Sequence, residues 1–199
     1  MQGSLFPLKE INIVVDKIRK VEIGRYKRMN QLEIHTSRLI IKHFDKSMYE
    51  RVHLNSLDDN TRKFLPDEVF ESKEDAASKV TLLIECYKND EGPYVYPVCM
   101  KNGENIGYVQ AVKFGKDSWE VGYQIAERYR GTGIAVEAVK AFLPEILIRL
   151  KIKEIWGICR GDNNASRRVL EKCAFLLQYK RVQNYKGEPH EVYYYLYKG

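Results

Sequence analysis

The sequence predicts an α+β domain, a mixed sheet covered by helices, and three features point to it. Segments follow in the order strand, two helices, three strands, helix, strand, helix, two strands, which suits neither an all-helical nor an all-strand domain. Residues 94–100 and 104–114 flank Asn102-Gly103, a dipeptide that favours tight hairpins, so these strands are expected to be antiparallel. Gly131 and Gly133 stand where the strand over 118–125 must turn into a long helical run, and glycine permits the backbone such a turn requires.

Residues 1–31 are expected to form a leader outside the domain. Ile11, Val14, Val15, Ile18 and Val21 fall near helical spacing among lysines and arginines, an amphipathic pattern whose stripe would pack on the domain or on a second subunit, making a homodimer one reading. A membrane-surface role is the lesser reading, and Met29 is a second candidate start. The domain then spans 32–199. Residues 32–42 read as a strand, and Asp45 can cap a following helix. Ser72-Lys73-Glu74-Asp75 is a capping box opening a helix that carries Ala76, Val80, Leu83, Ile84 and Tyr87. The helix after Gly133 should run to about Leu150, with Pro144 kinking or splitting it because a backbone donor is lost. A buried strand over 152–159, a helix capped by Asp162 or Asn163, and two strands around Gly187 complete the chain.

Composition narrows the function classes. With 44% hydrophobic and 30% charged residues the chain is globular rather than disordered, and 199 residues suit one core-forming domain. No apolar run approaches the roughly 20 residues that cross a bilayer, and the N-terminus lacks a signal-peptide pattern, so a cytoplasmic protein without membrane attachment is expected. Cys86, Cys99, Cys159 and Cys173 are too scattered for a disulfide framework or zinc site, and the four histidines form no ligand pair, so no metal is expected. The net charge of +6 fits an anionic cofactor; the absence of nucleic-acid-binding motifs argues against direct nucleic-acid contact.

The segment Arg128-Tyr129-Arg130-Gly131-Thr132-Gly133-Ile134-Ala135 carries the chemistry. Unpaired N–H groups at a helix start, together with the positive end of its dipole, attract an anion. Gly-x-Gly also begins the dinucleotide fingerprint, but Val136 replaces its third glycine, and the Lys-Ser/Thr ending of a P-loop is missing. A second segment, Asn163-Asn164-Ala165-Ser166 followed by Val169-Leu170-Glu171-Lys172-Cys173-Ala174-Phe175, lies some thirty residues on. Together they resemble the acyl-CoA-binding motifs of the GNAT N-acetyltransferase superfamily, most closely its RimJ/RimL branch, over residues 32–198. Trp119-Glu120-Val121-Gly122-Tyr123-Gln124-Ile125 and Ala135-Val136-Glu137-Ala138-Val139 add to the likeness, while Ala174 departs from the family's usual glycine.

The resemblance implies the GNAT fold: a mixed, mostly antiparallel sheet with helices on both faces and a parallel strand pair, 118–125 with 152–159, that splays to admit the pantetheine arm. It also implies transfer of acetyl from acetyl-CoA to a primary amine without a covalent enzyme intermediate. In that reading the backbone from Arg130 through Gly131, Thr132, Gly133, Ile134 and Ala135 holds the pyrophosphate, with Arg128 and Arg130 as auxiliary charges. Asn163 bonds pantetheine, Lys172 approaches the phosphates or stays solvated, and the N–H of Ile125 or Ala126 serves the oxyanion. Ser166 protonates the departing thiolate, and Glu120, directly or through water, deprotonates the amine. The RimJ/RimL likeness points to a protein N-terminal α-amine of ribosomal-protein type. Polyamines or aminoglycosides are the alternative, for which Glu68, Glu71 and Asp75 would have to build an acidic pocket; an idle acyl-CoA-binding module is the remaining rival. Core and strand-surface packing explains most of the many tyrosines, Tyr123 and those near the C-terminus, rather than an aromatic acceptor cage.

Overall fold

The computed structural model describes residues 32–88, 92–185 and 187–199; the predicted leader lies outside them. The sheet is eight-stranded: β1 (Ile34–His35), β2 (Leu39–Ile41), β3 (Tyr94–Met100), β4 (Asn105–Phe114), β5 (Ser118–Ile125), β6 (Glu154–Arg160), β7 (Leu176–Tyr185) and β8 (Glu188–Lys198), in spatial order β1-β2-β3-β4-β5-β6-β8-β7. All neighbours are antiparallel except β5 and β6. The expected first strand over 32–42 is two short ones, because the chain reverses at 36–38, where the Thr36 hydroxyl accepts from the Leu39 N–H at 2.9 Å.

Three helices, rather than two, precede β3: α1 (Tyr49–Ser56), α2 (Asp59–Phe64) and α3 (Lys73–Cys86). Asp45 caps a short 3-10 turn leading into α1, and the Ser72–Asp75 capping box opens α3 as its spacing predicts. The unforeseen α2 is six residues long, too short for hydrophobic periodicity to register; its start depends on Asp58, which accepts from the N–H groups of Asn60 and Thr61. Beyond the hairpin, α4 (Ile134–Leu150) buries Ile134, Ala138, Val139, Phe142, Leu143, Ile146 and Leu147 against the sheet, and α5 (Asn164–Lys172) covers β6.

Pro144 does not split α4. It lies on the exposed side of one uninterrupted helix, as does Lys140, whose carbonyl is the one left without its usual donor and can turn to water. Gly107 is fixed by close packing: a Cβ there would stand 2.0 Å from the Gln124 carbonyl oxygen, so β4 and β5 could not approach with any side chain at that point.

Candidate active site

The site forms where two parallel strands part. β5 and β6 share one register pair, Glu120 with Trp156, after which they diverge. A cleft of about 620 Å³, its mouth to solvent included, opens between Val121–Tyr123 on β5 and Ile158–Arg160 on β6, with Ser166 of α5 and Phe64 of α2 at its borders. The Ala126 N–H donates to the Ile106 carbonyl at 2.8 Å. Strand alternation therefore turns the Ile125 N–H away from β4, toward the gap. Of the two oxyanion donors expected from the sequence, Ala126 is thus already committed to the sheet and Ile125 remains.

Alternation also assigns the side chains to opposite sheet faces. Glu120, Gln110 and Trp156 share one face. Gly157, on the other, is covered by Leu170 and Phe175, so that face carries α5. Tyr123 shares the α5 side with Ser166, yet both line the same cleft as Glu120. The opening is therefore reached from both faces of the sheet.

Glu120 is half-buried, and loss of hydration pushes its carboxyl up to about 7. Its surroundings explain this shift. Trp156 stands directly across on β6 and belongs to a ring cluster with Phe114, Tyr179 and Tyr194, the last two stacked with centroids 4.5 Å apart. Such a carboxyl is a base poised near neutrality. On the opposite face, Asn163 caps α5 by accepting from the Ser166 N–H at 3.0 Å, leaving its amide N–H₂ for a ligand. The Ser166 hydroxyl lies 2.9 Å from the Tyr123 hydroxyl, so Tyr123 does more than pack.

At the start of α4, Gly131 and Gly133 have φ of 77° and 81°, left-handed values that favour glycine, and Gly133 is the N-cap. Among the described residues, the N–H groups of Gly131, Thr132, Gly133, Ile134 and Ala135 reach no backbone acceptor in hydrogen-bonding geometry. A side chain at Gly131 would have nothing within 4 Å, so the loop stands open to an incoming anion. These donors fit the diphosphate of a CoA thioester. The Arg130 N–H does not join them, because it donates to the Glu127 carbonyl at 3.0 Å.

The two arginine side chains also differ from their expected roles. Arg130 forms a two-pronged pair with Asp58 at 2.7 and 2.8 Å and donates to the Ile125 carbonyl at 2.8 Å, clamping the N-terminus of α2 to the end of β5. Arg128 pairs with Glu104. Each is held by a carboxylate that lies far away in sequence, which loop spacing alone could not show. The cation beside the loop is instead Arg38. It donates to the Thr132 carbonyl at 3.0 Å and to Glu137 at 2.6 Å. Glu137 also accepts from Thr36, Ser37 and the Arg38 N–H, and these hydrogen bonds outweigh its desolvation, bringing its carboxyl down to about 2. The signal for Arg38 was a lone arginine after Thr36-Ser37, with nothing local to mark it. Lys172 is exposed at the end of α5, where Cys173 contacts the Val136 carbonyl at 3.7 Å and brings that end beside the first turn of α4.

Among the described residues no helix is long and apolar enough to cross a membrane, and no group of three or more metal-ligating side chains occurs.

Comparison with known proteins agrees with this geometry. Residues 38–176 match the acetyltransferase (GNAT) domain. The chain is 29% identical over 143 residues to the uncharacterised N-acetyltransferase YnaD of Bacillus subtilis (strain 168), covering 71% of this chain and 81% of that one. It superposes with a TM-score of 0.71 on a GNAT-family acetyltransferase from Bacillus anthracis, at 27% identity, covering 84% of this chain and 98% of the other. A fold match with a TM-score of 0.73 at 23% identity, with the same two coverages, is to RimL, a ribosomal L7/L12 α-N-protein acetyltransferase solved with coenzyme A. An open, donor-rich loop at the start of α4, a splayed strand pair and a match spanning most of the domain agree, and the chain belongs to the GNAT acetyltransferase family, whose acetyl donor is acetyl-CoA.

Proposed function

We propose that the acceptor is a peptide N-terminal α-amine, of the kind found on ribosomal proteins, and that acetyl passes to it directly within a ternary complex. The observation that carries this reading is the condition of the acidic residues. A polyamine or aminoglycoside needs several free carboxylates. Glu71, however, pairs with Arg62, Asp75 closes the capping box with Ser72, and Glu68 lies 3.8 Å from Lys79 with its carboxyl pushed up by burial. What remains at the cleft is Glu120, walled by aromatic rings and only partly ionised at neutral pH.

Substrate energetics agree with a base of that strength. Neutralising a lysine-type amine at pH 7 costs about 4.6 kcal/mol, whereas an α-amine near pKa 8 costs about 1.4 kcal/mol. Glu120, acting directly or through water, takes the proton, and the Ile125 N–H meets the oxyanion. Ser166 protonates the leaving sulfur. The N–H groups from Gly131 to Ala135, assisted by Arg38, hold the diphosphate; Asn163 bonds the pantetheine arm, with Lys172 beside the phosphates. Cys159, the thiol lining the cleft, is pushed up to about 12 by burial, so it stays protonated and is a poor nucleophile for an acetyl-enzyme.

RimL, an α-N-acetyltransferase of ribosomal L7/L12, supports the same substrate class. The test is a panel of labelled acetyl-CoA with N-terminal peptides, polyamines and aminoglycosides. Transfer to peptides and to neither of the others is expected; efficient polyamine or aminoglycoside acetylation would overturn the assignment.

A further inference from the structure

Tyr123 forms two contacts with one residue. Its hydroxyl lies 3.0 Å from the Ser166 carbonyl oxygen and 2.9 Å from the Ser166 Oγ. A phenol carries a single proton, so the contacts define two arrangements. In one, Tyr123 donates to the carbonyl and the serine hydroxyl donates into the phenol, which turns the serine proton away from the cleft. In the other, Tyr123 donates to Oγ and the serine proton turns into the cleft, where the Cys159 thiol also stands. Burial pushes the phenol up, so Tyr123 stays protonated and remains a donor across the working pH range.

We propose that Tyr123 is a positioning residue for acetyl transfer, its hydroxyl setting the direction in which Ser166 presents its proton to the departing sulfur. This rests on the assignment of Ser166 as the proton donor. With the cleft empty of an acceptor, the carbonyl arrangement makes both hydrogen bonds at once, the phenol donating to the Ser166 carbonyl and accepting from the Ser166 hydroxyl. A developing thiolate is a strong, charged acceptor, and it draws the serine proton outward while the phenol swings to Oγ. As the C–S bond breaks, its electron pair goes to sulfur and sulfur takes the Ser166 proton. The serine oxygen regains a proton through cleft water from Glu120, which took it from the amine, so the net change moves one proton from nitrogen to sulfur and leaves both residues as they began. Tyr123 loses no proton in the cycle. It keeps the electron-rich serine oxygen hydrogen-bonded during the transfer.

Tyr123→Phe, Ser166→Ala and the double variant test the idea, with kcat, KM for acetyl-CoA and melting temperature measured for each. Tyr123→Phe is expected to lower kcat about tenfold with KM for acetyl-CoA changed less than about twofold, and the double variant to be no slower than Ser166→Ala. A purely structural role would raise KM, lower the melting temperature and compound the defect in the double variant. If the two losses multiply, Tyr123 acts independently of Ser166 and the inference fails. If Ser166→Ala keeps full kcat, the assignment of Ser166 fails first; a slow Tyr123→Phe would then make the phenol itself the donor, and an active one would leave neither residue a part. Assays well below the melting temperature of the weakest variant keep the comparison valid if one of them is less stable.

Discussion

Glu120 and Trp156 form the one register pair that joins β5 to β6, and the cleft begins directly beyond it. The residue proposed as the base thus sits at the fork. There its neighbours on one side are rings and on the other side open space, and this asymmetry desolvates a carboxyl without giving it a counter-charge. A raised acid binds more protons folded than unfolded. Between the ordinary carboxylate value of 4.5 and about 7, stability therefore falls as pH rises. Glu120→Gln should remove that loss, leaving the protein roughly 1 kcal/mol more stable than the parent at pH 8 in denaturant titrations, after discounting for partial exposure. Turnover should respond oppositely: the rise of kcat through pH about 7 disappears in Glu120→Gln, with a loss of about a hundredfold.

Arg38 should matter to the acetyl donor although it lies nearly a hundred residues from the loop. Arg38→Ala removes a cation from the Thr132 carbonyl and frees the Glu137 charge beside the N–H groups proposed to hold the diphosphate. KM for acetyl-CoA is expected to rise about tenfold, with the larger effect at low salt. Stability should change as well. Glu137 has a lowered pKa, so its contribution is present above about 4.5 and disappears as pH falls toward about 2; Arg38→Ala should flatten acid unfolding in that window.

Arg130→Ala should act on stability rather than on donor binding. It strands Asp58, whose carboxylate is mostly buried and also caps α2, at a cost of about 2 kcal/mol in urea titrations. KM for acetyl-CoA is expected to change less than threefold. A large rise with unaltered stability would return Arg130 to the phosphates.

Ala174 adopts φ of 65°, a left-handed conformation at the end of α5 where a methyl group is strained. The Ala174 N–H donates to the Glu171 carbonyl at 3.1 Å and the Phe175 N–H to the Leu170 carbonyl at 3.0 Å, so the turn is held in place despite that strain. Ala174→Gly should raise stability by about 1 kcal/mol and leave kcat unchanged, as chemical denaturation and a standard assay would show.

The parts of the fold legible in the sequence were those set by neighbours along the chain. Asn102-Gly103 fixed a hairpin, Ser72 and Asp75 closed a helix start, and Gly131 and Gly133 marked the left-handed turn into α4, because turn geometry and capping act over two to four residues. The helix α2 and the continuity of α4 through Pro144 were not legible. The first is too short for a period, and the second depends on Lys140 and Pro144 lying together on the exposed side.

The sequence by itself determined the kind of molecule this is: a mixed sheet with a glycine-opened helix start, and Asn163 and Ser166 brought to the head of the next helix. Tertiary structure decided which charges are free and which are committed. It paired Arg130 with Asp58, brought Arg38 to the loop, buried Glu120 among rings and placed the Tyr123 hydroxyl against Ser166. Hydration and ion pairing depend on residues that meet only when the chain is folded, and they set the protonation state and direction of a polar group more strongly than its neighbours in sequence do.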